Sequence, residues 1–296
     1  MLVAQEIAKK LIESKRAGIW CFNFHQISMK YDPLFHNRGT FTSLSLFSKY
    51  IRYIRNRFNL ISVSKAFEML DNKSVNDRYA CITFDDGDSS IEDIIPYLIE
   101  NNIPASFFLN TAYIDDKKID PFRVANYLVN ANLENINITK SQICGWVKIL
   151  RHSRKLDEYN YAKNKLLNLN YLMPDEHHSF YVRSRFLFDI KNDLINFGLH
   201  GYEHDRFILL SRDEQKTSLI KNIEFVGKLH GYKPLFAIPF GRPRDWNNDT
   251  INVCNDLELR YLFANGGFNK GDCPGLKRIP ADNRNLLFDM RIGYYQ

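Results

Sequence analysis

The sequence has few cysteines, and their spacing fits neither a metal site nor a disulfide framework. Its 296 residues contain five, an odd and widely scattered set, at Cys21, Cys81, Cys144, Cys254 and Cys273. No C-x-x-C pair occurs, which argues against a cysteine-rich zinc site. We therefore expect reduced thiols, as is usual in a reducing compartment.

Long apolar segments are also lacking. No run of about 18 apolar residues occurs, so the sequence predicts no membrane-spanning helix. The first 18 residues, MLVAQEIAKKLIESKRAG, carry charges every few positions and lack the apolar core of a secretory signal. These absences predict a cytoplasmic protein, and they leave a peripheral position at a membrane open.

The charge balance is mildly basic, with a net charge of +6 and a pI of about 8.9. The basic residues form no stripe interleaved with stacking aromatics, so nucleic-acid binding is not expected. The excess suits an anionic ligand, such as a sugar whose phosphate links it to a lipid or a nucleotide. A solvated basic surface is the more common explanation of such an excess. The basic segment 148–165 has the same two interpretations.

Short apolar runs alternate with amphipathic ones along most of the chain. Strand-like runs occupy residues 18–24, 80–84, 105–109, 195–199, 235–238 and 259–264. Helical spacing marks residues 45–58 and 91–101. The alternation predicts an α/β fold with a mainly parallel sheet. We expect a single domain that spans residues 1–296.

Residues 115–189 depart from this alternation. They contain helical stretches at 121–131, 140–151 and 157–169, but no clear strand. A structureless loop of that length would be unusual in a compact domain. We therefore predict a helical insertion or cap beside the binding pocket.

The segment TFDDG places two adjacent carboxylates, Asp85 and Asp86, directly after a strand-like run. Neighbouring residues at a strand end point in different directions, so one carboxylate is able to bind a metal while the other faces substrate. The turn at Gly87 is favourable for glycine. Aspartate and glycine are common in ordinary turns as well, so the motif by itself is a weak signal.

A second polar cluster, HGYEH, follows the strand-like run 195–199. His200 and His204 are four residues apart and fall on one face of a helical or turn segment. The position of Glu203 differs from that in H-E-x-x-H, which excludes the zincin pattern. With Asp86 they make a set of three metal ligands that leaves positions open for water and substrate. Zn²⁺ suits this set best, with Co²⁺, Ni²⁺ or Mn²⁺ open.

A third cluster, FAIPFGRP, overlaps the end of the strand-like run 235–238. Its prolines and glycine fix a turn, and such a turn is able to aim a backbone N–H at a developing oxyanion. An ordinary strand-ending turn is the simpler interpretation of the motif alone.

The order TFDDG, H-x-x-x-H and a proline-containing strand end resembles that of the polysaccharide deacetylases, the NodB-homology or carbohydrate esterase family 4. The segments FNFHQI, FNLIS, FAIPFG and RIP, at residues 22–27, 58–62, 236–241 and 278–280, are similar to further elements of one subgroup. The resemblance runs from about residue 18 to 283 and is poorest over 115–189. It implies a distorted (β/α)7 barrel, open at one side. It also implies a metal-dependent hydrolase that removes the N-acetyl group from an N-acetylhexosamine-containing saccharide or glycan intermediate.

The resemblance also implies a role for individual residues. Asp85 matches the catalytic base, and Asp86, His200 and His204 match the metal ligands. The backbone N–H of Phe240 matches the oxyanion donor.

Two departures from the family pattern bear on activity. Ala237 replaces an arginine that orients the base in many members, a loss shared by the FAYPYG subgroup, and no histidine follows His230 as a late general acid. His25, at the predicted end of the first strand, is the alternative acid. This arrangement resembles the permuted motif order of poly-N-acetylglucosamine deacetylases.

Two other functions stay open from the sequence alone. One is a catalytically degenerate relative that only binds sugar, which the missing arginine and late histidine would explain. The other is a metal amidase that acts on a non-sugar amide, because the chemistry does not name the substrate.

Overall fold

The computed structural model describes residues 16–37, 39–131, 138–173, 180–264, 266, 268–271 and 274–282. The four cysteines within these ranges, Cys21, Cys81, Cys144 and Cys254, are free thiols, as expected. Cys273 lies outside the described residues.

The first part of the chain alternates strands and helices. Its elements are β1 (Gly18–Phe24), β2 (Gln26–Ser28), β3 (Phe41–Ser43), α1 (Leu44–Arg55), β4 (Asn59–Leu60), α2 (Val63–Asp71), β5 (Arg78–Phe84), α3 (Ile91–Glu100) and β6 (Ala105–Leu109). A helical stretch follows with α4 (Pro121–Asn130), α5 (Lys140–His152), α6 (Leu156–Leu167) and α7 (Ser184–Asp189). The last part comprises β7 (Ile195–Leu199), α8 (Arg212–Val226), β8 (Tyr232–Ala237), α9 (Asn248–Asp256), β9 (Arg260–Phe263), β10 (Phe268–Asn269), β11 (Gly275–Lys277) and β12 (Ile279–Pro280).

The main sheet is a nearly closed barrel. Its parallel strands follow the order β1-β5-β6-β7-β8-β9-β11, and β10 adds an antiparallel partner to β1. The segment 275–280 joins the two ends, because β11 pairs with β9 and β12 pairs with β1. The ring thus has seven positions, which confirms the predicted barrel.

The strand residues explain why the sheet closes around a dry interior. All residues of β1, β6 and β7 are buried, as expected for parallel strands covered on both faces. Phe84 stacks on Phe107 with ring centroids 4.7 Å apart, which links adjacent strands. Helices begin where the sequence supplies caps: Ser62 caps α2, and Ser211 forms a capping box at α8.

The helices between β6 and β7 have their own apolar cluster. Val124, Leu150 and Leu166 are fully buried there, together with Tyr113 and Tyr181. All three predicted helices of this stretch are present, as α4, α5 and α6. The interpretation of residues 115–189 as an insertion or cap stays a prediction.

Within the described ranges, no helix has the length and apolar content needed to cross a membrane. The expected cytoplasmic location stays a prediction.

Candidate active site

The polar clusters predicted at strand ends all face one cavity of about 450 Å³. Asp85 follows β5, His200 follows β7, and His25 follows β1. Parallel strands bring their carboxyl ends to the same side of a barrel, so residues distant in sequence converge there. The six candidate residues line this cavity, namely His25, Asp85, Asp86, His200, His204 and Phe240.

Asp86, His200 and His204 form a compact set of potential metal ligands. Oδ1 of Asp86 lies 3.4 Å from Nε2 of His200 and 3.5 Å from Nε2 of His204. Each residue offers one ligand atom, and these atoms lie within 4.8 Å of one another. Two atoms bound tetrahedrally at about 2.1 Å from one ion are about 3.4 Å apart, so both distances from Asp86 suit a shared ion.

The hydrogen bonds of these residues also fit a cation. Oδ1 of Asp86 is buried and has no hydrogen-bond partner among the described residues. Nδ1 of His200 donates to the carbonyl oxygen of Ala237 at 2.7 Å, which leaves Nε2 as a lone-pair ligand. Although burial opposes it, the neighbouring imidazoles hold the pKa of Asp86 well below its usual range. Burial also lowers the pKa of His204 to about 4, so its ring stays neutral and able to ligate.

Three of the eight described non-glycine residues with positive φ lie at this site. Asp86, His204 and Phe240 have φ values of 77°, 56° and 59°, in the left-handed region that non-glycine residues avoid. Each such residue costs roughly 1–3 kcal/mol, and strain of this kind clusters at functional sites. The fold thus holds two of the three potential ligands and the candidate oxyanion donor in costly conformations.

Asp85 is held by three hydrogen bonds that the sequence did not predict. Arg278 forms a two-point ion pair with it, with Nη1–Oδ1 at 2.7 Å and Nη2–Oδ2 at 2.8 Å. Nδ2 of Asn23 donates to Oδ2 at 2.9 Å. Burial acts to raise the pKa of Asp85, but the charge of Arg278 outweighs it and holds the pKa below its usual range. Asp85 is therefore an oriented carboxylate near neutral pH.

His25 is paired with Asp282, a second residue that the sequence analysis missed. Nδ1 of His25 lies 2.7 Å from Oδ2 of Asp282, and the backbone N–H of His25 donates to Oδ1 at 3.1 Å. Burial alone would lower the pKa of His25, but the Asp282 carboxylate raises it to about 10. The ring therefore holds a proton at neutral pH.

Phe240 lies against the potential metal ligands. Its ring centroid is 4.7 Å from that of His204. Its backbone N–H has no hydrogen-bond partner in the part of the chain that the structure describes. It is therefore available as a donor, and its role towards an oxyanion stays a prediction.

Asp120, at the start of α4, is a further acid in the cavity. Its Oδ2 lies 3.8 Å from Nδ1 of His204. Burial, joined by the charge of Asp86, raises the pKa of Asp120 to about 7. Nothing in its local sequence, IDPF, distinguishes it from an ordinary helix cap.

The sequence model for polysaccharide deacetylases matches residues 72–162. The match contains Asp85 and Asp86 and ends before His200. A search of curated proteins finds no sequence match.

Solved structures share the fold over nearly the whole chain. The Streptococcus pyogenes deacetylase PplD in complex with acetate is 15% identical, with a TM-score of 0.57, over 93% of this chain and 97% of its own. A de-N-acetylase from Aggregatibacter actinomycetemcomitans is 13% identical, with a TM-score of 0.58, over 90% and 96%. IcaB from Ammonifex degensii is 15% identical, with a TM-score of 0.55, over 92% and 95%. The chain is thus similar to the polysaccharide deacetylases, in sequence over residues 72–162 and in fold over nearly its whole length.

Proposed function

We propose that this chain is a metal-dependent hydrolase that removes the acetyl group from an N-acetylhexosamine-containing saccharide and releases acetate. One observation carries the proposal. A single cavity contains an oriented carboxylate at Asp85, a potential metal triad beside it, and a proton-bearing imidazole at His25. These are the groups that amide hydrolysis needs.

Asp86, His200 and His204 would hold the metal, with Zn²⁺ first and Co²⁺, Ni²⁺ or Mn²⁺ as alternatives. A bound divalent ion supplies Lewis-acid activation of water and of the acetyl carbonyl.

Asp85 acts as the general base. Its two oxygens are fixed by Arg278 and Asn23, so the carboxylate has one orientation in which to accept a proton from the attacking water. Its low pKa keeps it ionised near neutral pH. The Phe240 N–H donates to the oxyanion as the carbonyl carbon becomes tetrahedral.

His25 acts as the general acid. The proton held by its ring passes to the sugar nitrogen as the C–N bond breaks, giving acetate and a free amine. Asp282 holds Nδ1, so Nε2 is the nitrogen left to face the cavity. The pKa of about 10 keeps the acid loaded at neutral pH.

The substrate class rests on the resemblance to poly-N-acetylglucosamine deacetylases and on the names of the structural neighbours, two of which are a deacetylase and a de-N-acetylase. The cavity volume falls in the range of about 300–1,000 Å³ that is usual for small-ligand sites. An acetamido sugar unit is the ligand we propose for it.

A non-catalytic, sugar-binding relative is less well supported than the enzyme. That alternative was motivated by an absent arginine and an absent late histidine. Arg278 contacts Asp85, and His25 with Asp282 lies in the same cavity. The cavity therefore contains an arginine partner for the proposed base and a histidine that is able to act as the acid.

The test is metal analysis combined with an acetate-release assay. N-acetylated saccharides, free, polymeric and phosphate-linked, are compared with non-sugar acetamides. The proposal is supported if acetate is released from saccharides, if chelators abolish this release, and if added metal restores it. Release only from non-sugar acetamides would show the amidase alternative instead.

Asp85→Asn is the sharper test of the base. We expect kcat to fall by roughly 10²–10⁴-fold with the metal content unchanged, because the asparagine amide cannot accept a proton from water. Asp189→Asn, an exposed carboxylate on α7, is the matched control. Full activity of Asp85→Asn with metal bound would exclude Asp85 as the base.

A further inference from the structure

Four basic side chains gather on one wall of the cavity, away from the potential metal ligands. Arg151 and His152 come from the last turn of α5. Arg242 and Arg244 come from the loop after β8. All four line the same cavity as Asp85 and His25. We call them the cationic wall.

A buried ion pair beneath this wall fixes its two halves together. Nε of Arg206 donates to Oδ1 of Asp245 at 3.0 Å, and both side chains are almost fully buried. The same guanidinium donates to the carbonyl oxygens of Ser153, just after α5, and of Arg244. The loop itself is closed by the Asp245 N–H, which donates to the Arg242 carbonyl at 2.9 Å. The cationic wall is therefore built on a rigid base.

The charges of the wall have no carboxylate partner among the residues that the structure describes. Within the described residues, none of its four side chains forms an ion pair, and Asp245 is already paired with Arg206. Burial and then the charge of Arg242 lower the pKa of Arg151. Burial, followed by the charges of Arg244, Arg151 and Arg242, lowers the pKa of His152. Like charges thus lie close enough to repel one another.

An aromatic pair separates the wall from the potential metal ligands. The Phe240 ring contacts His204, and its centroid lies 5.8 Å from that of the Phe122 ring. The guanidinium of Arg151 lies 5.6 Å from the centroid of the Phe122 ring. A ligand with its acetamido group at His204 would extend along these rings towards Arg151.

We propose that the cationic wall binds a phosphate group attached to the saccharide that this site deacetylates. Arginine suits phosphate because its planar guanidinium donates two parallel hydrogen bonds to one anion. Three arginines facing one cavity, without a carboxylate partner in the described part of the chain, offer more donors than a neutral glycan can use. This inference rests on the proposed deacetylase function, and it adds a charged linkage to the substrate.

The test compares neutral and phosphorylated substrates in the metal-loaded, full-length protein. The substrates are a neutral N-acetylglucosamine disaccharide and the 1-phosphate of N-acetylglucosamine, with a uronic-acid-bearing analogue for carboxylate. We expect the wild type to have a kcat/KM at least about 10-fold higher on the phosphate, since a charge-assisted pair of this kind is worth about one factor of ten or more. In Arg242→Gln/Arg244→Gln the preference should fall by about 10-fold. High salt should reduce it as well, because these side chains are exposed.

Lys148→Gln and Arg154→Gln are matched controls, because each removes an exposed charge on or just after α5 that does not line the cavity. They should keep the wild-type preference. Equal turnover of neutral and phosphorylated sugars by the wild type, a preference for the carboxylate, or an equal loss in the controls would each overturn the proposal.

Calorimetric binding of the sugar phosphate separates this proposal from the deacetylase function. Binding that weakens in the double variant, with no acetate released from any sugar, would support the cationic wall and reject the deacetylase. Acetate release from the neutral sugar, with no increase in kcat/KM or in affinity when the sugar carries phosphate, would support the deacetylase and reject the cationic wall as a phosphate site. A nucleotide-diphosphate sugar and a short polyprenyl-diphosphate sugar, assayed side by side, then identify the source of the phosphate.

Discussion

Arg278 and Asp85 form a two-point ion pair with almost no exposure to water. The chain contains a natural counterpart at the surface. Arg260 and Asp71 make the same two-point contact, at 2.7 and 3.1 Å, with both side chains more than a third exposed. The geometry is shared and the solvent environment differs, so the two pairs isolate the effect of burial.

Removing the arginine should therefore have unequal effects on stability. We expect Arg278→Ala to lower the free energy of unfolding by about 3–5 kcal/mol, because it leaves Asp85 charged and buried. Arg260→Ala should cost at most about 1 kcal/mol, since water solvates Asp71. Denaturant unfolding of both variants checks this. Equal losses would mean that Asp85 is better solvated than its burial indicates.

The pH dependence of catalysis should depend on Asp282. The proposed acid, His25, is able to donate a proton only while protonated, so we expect kcat/KM on the alkaline side to fall as pH rises through about 10. Asp282→Asn removes the charge that raises this pKa. Burial, which lowers it, then dominates, so the fall should move towards or below the ordinary value of about 6.5.

A pH–rate profile of Asp282→Asn tests this, with Asp193→Asn as control. Asp193 pairs with His230 at 3.1 Å in an exposed position outside the cavity. Its loss should leave the profile unchanged. An unmoved alkaline limb in Asp282→Asn would exclude His25 as the acid.

At the scale of elements, the strands were the most predictable part of the molecule. Mainly apolar runs of five to seven residues, such as 18–24 and 105–109, are buried on both faces of the sheet and are therefore readily predicted as strands. Polar residues directly after such runs, such as Asp85 and His200, converge in any parallel barrel. The site residues that directly follow strands could therefore be predicted from the sequence.

Arg278 and Asp282 were not within that reach. The RIP element was recognised as a family feature, but its contact with Asp85 spans 193 residues and depends on how the barrel closes. Asp282 resembles any loop aspartate until β12 places it beside β1. The cationic wall likewise required the docking of α5 against a loop almost a hundred residues later.

Two glycines show how an element's surroundings set the effect of one methyl group. On β7, a Cβ at Gly198 would lie 2.7 Å from the Phe108 ring and 2.8 Å from the Leu235 carbonyl oxygen. Gly198→Ala should destabilise the protein by about 1–3 kcal/mol. On α5, Gly145 is exposed with no atom near its Cβ position, so Gly145→Ala should stabilise by about 0.5–1 kcal/mol. Thermal unfolding of both variants measures the contrast, and a loss in each would contradict it.

For the whole molecule, metal binding should appear as stability. The ligands come from two separate strand ends, so the folded chain binds the ion far better than the unfolded chain does. At a free metal concentration of 100 times Kd, we expect a gain of about 2.7 kcal/mol, or roughly 5–10 °C in Tm. Asp86→Asn should lose most of this gain, and His230→Ala, at an exposed position, should keep it. If the Tm of the wild type did not change with metal concentration, the proposal that Asp86, His200 and His204 bind a metal would be rejected.

The segment 275–280 that joins the two ends of the barrel also sets when the active site can form. Arg278 reaches Asp85 across 193 residues and Asp282 reaches His25 across 257. Contacts between such distant parts of a chain form slowly, because the entropy cost of closing the loop comes before the contacts contribute any stabilising free energy. The other strands and helices are able to assemble while Asp85 and His25 still lack these partners. We therefore expect the arrangement of Asp85 and His25 to be completed late in folding, when β12 closes the ring.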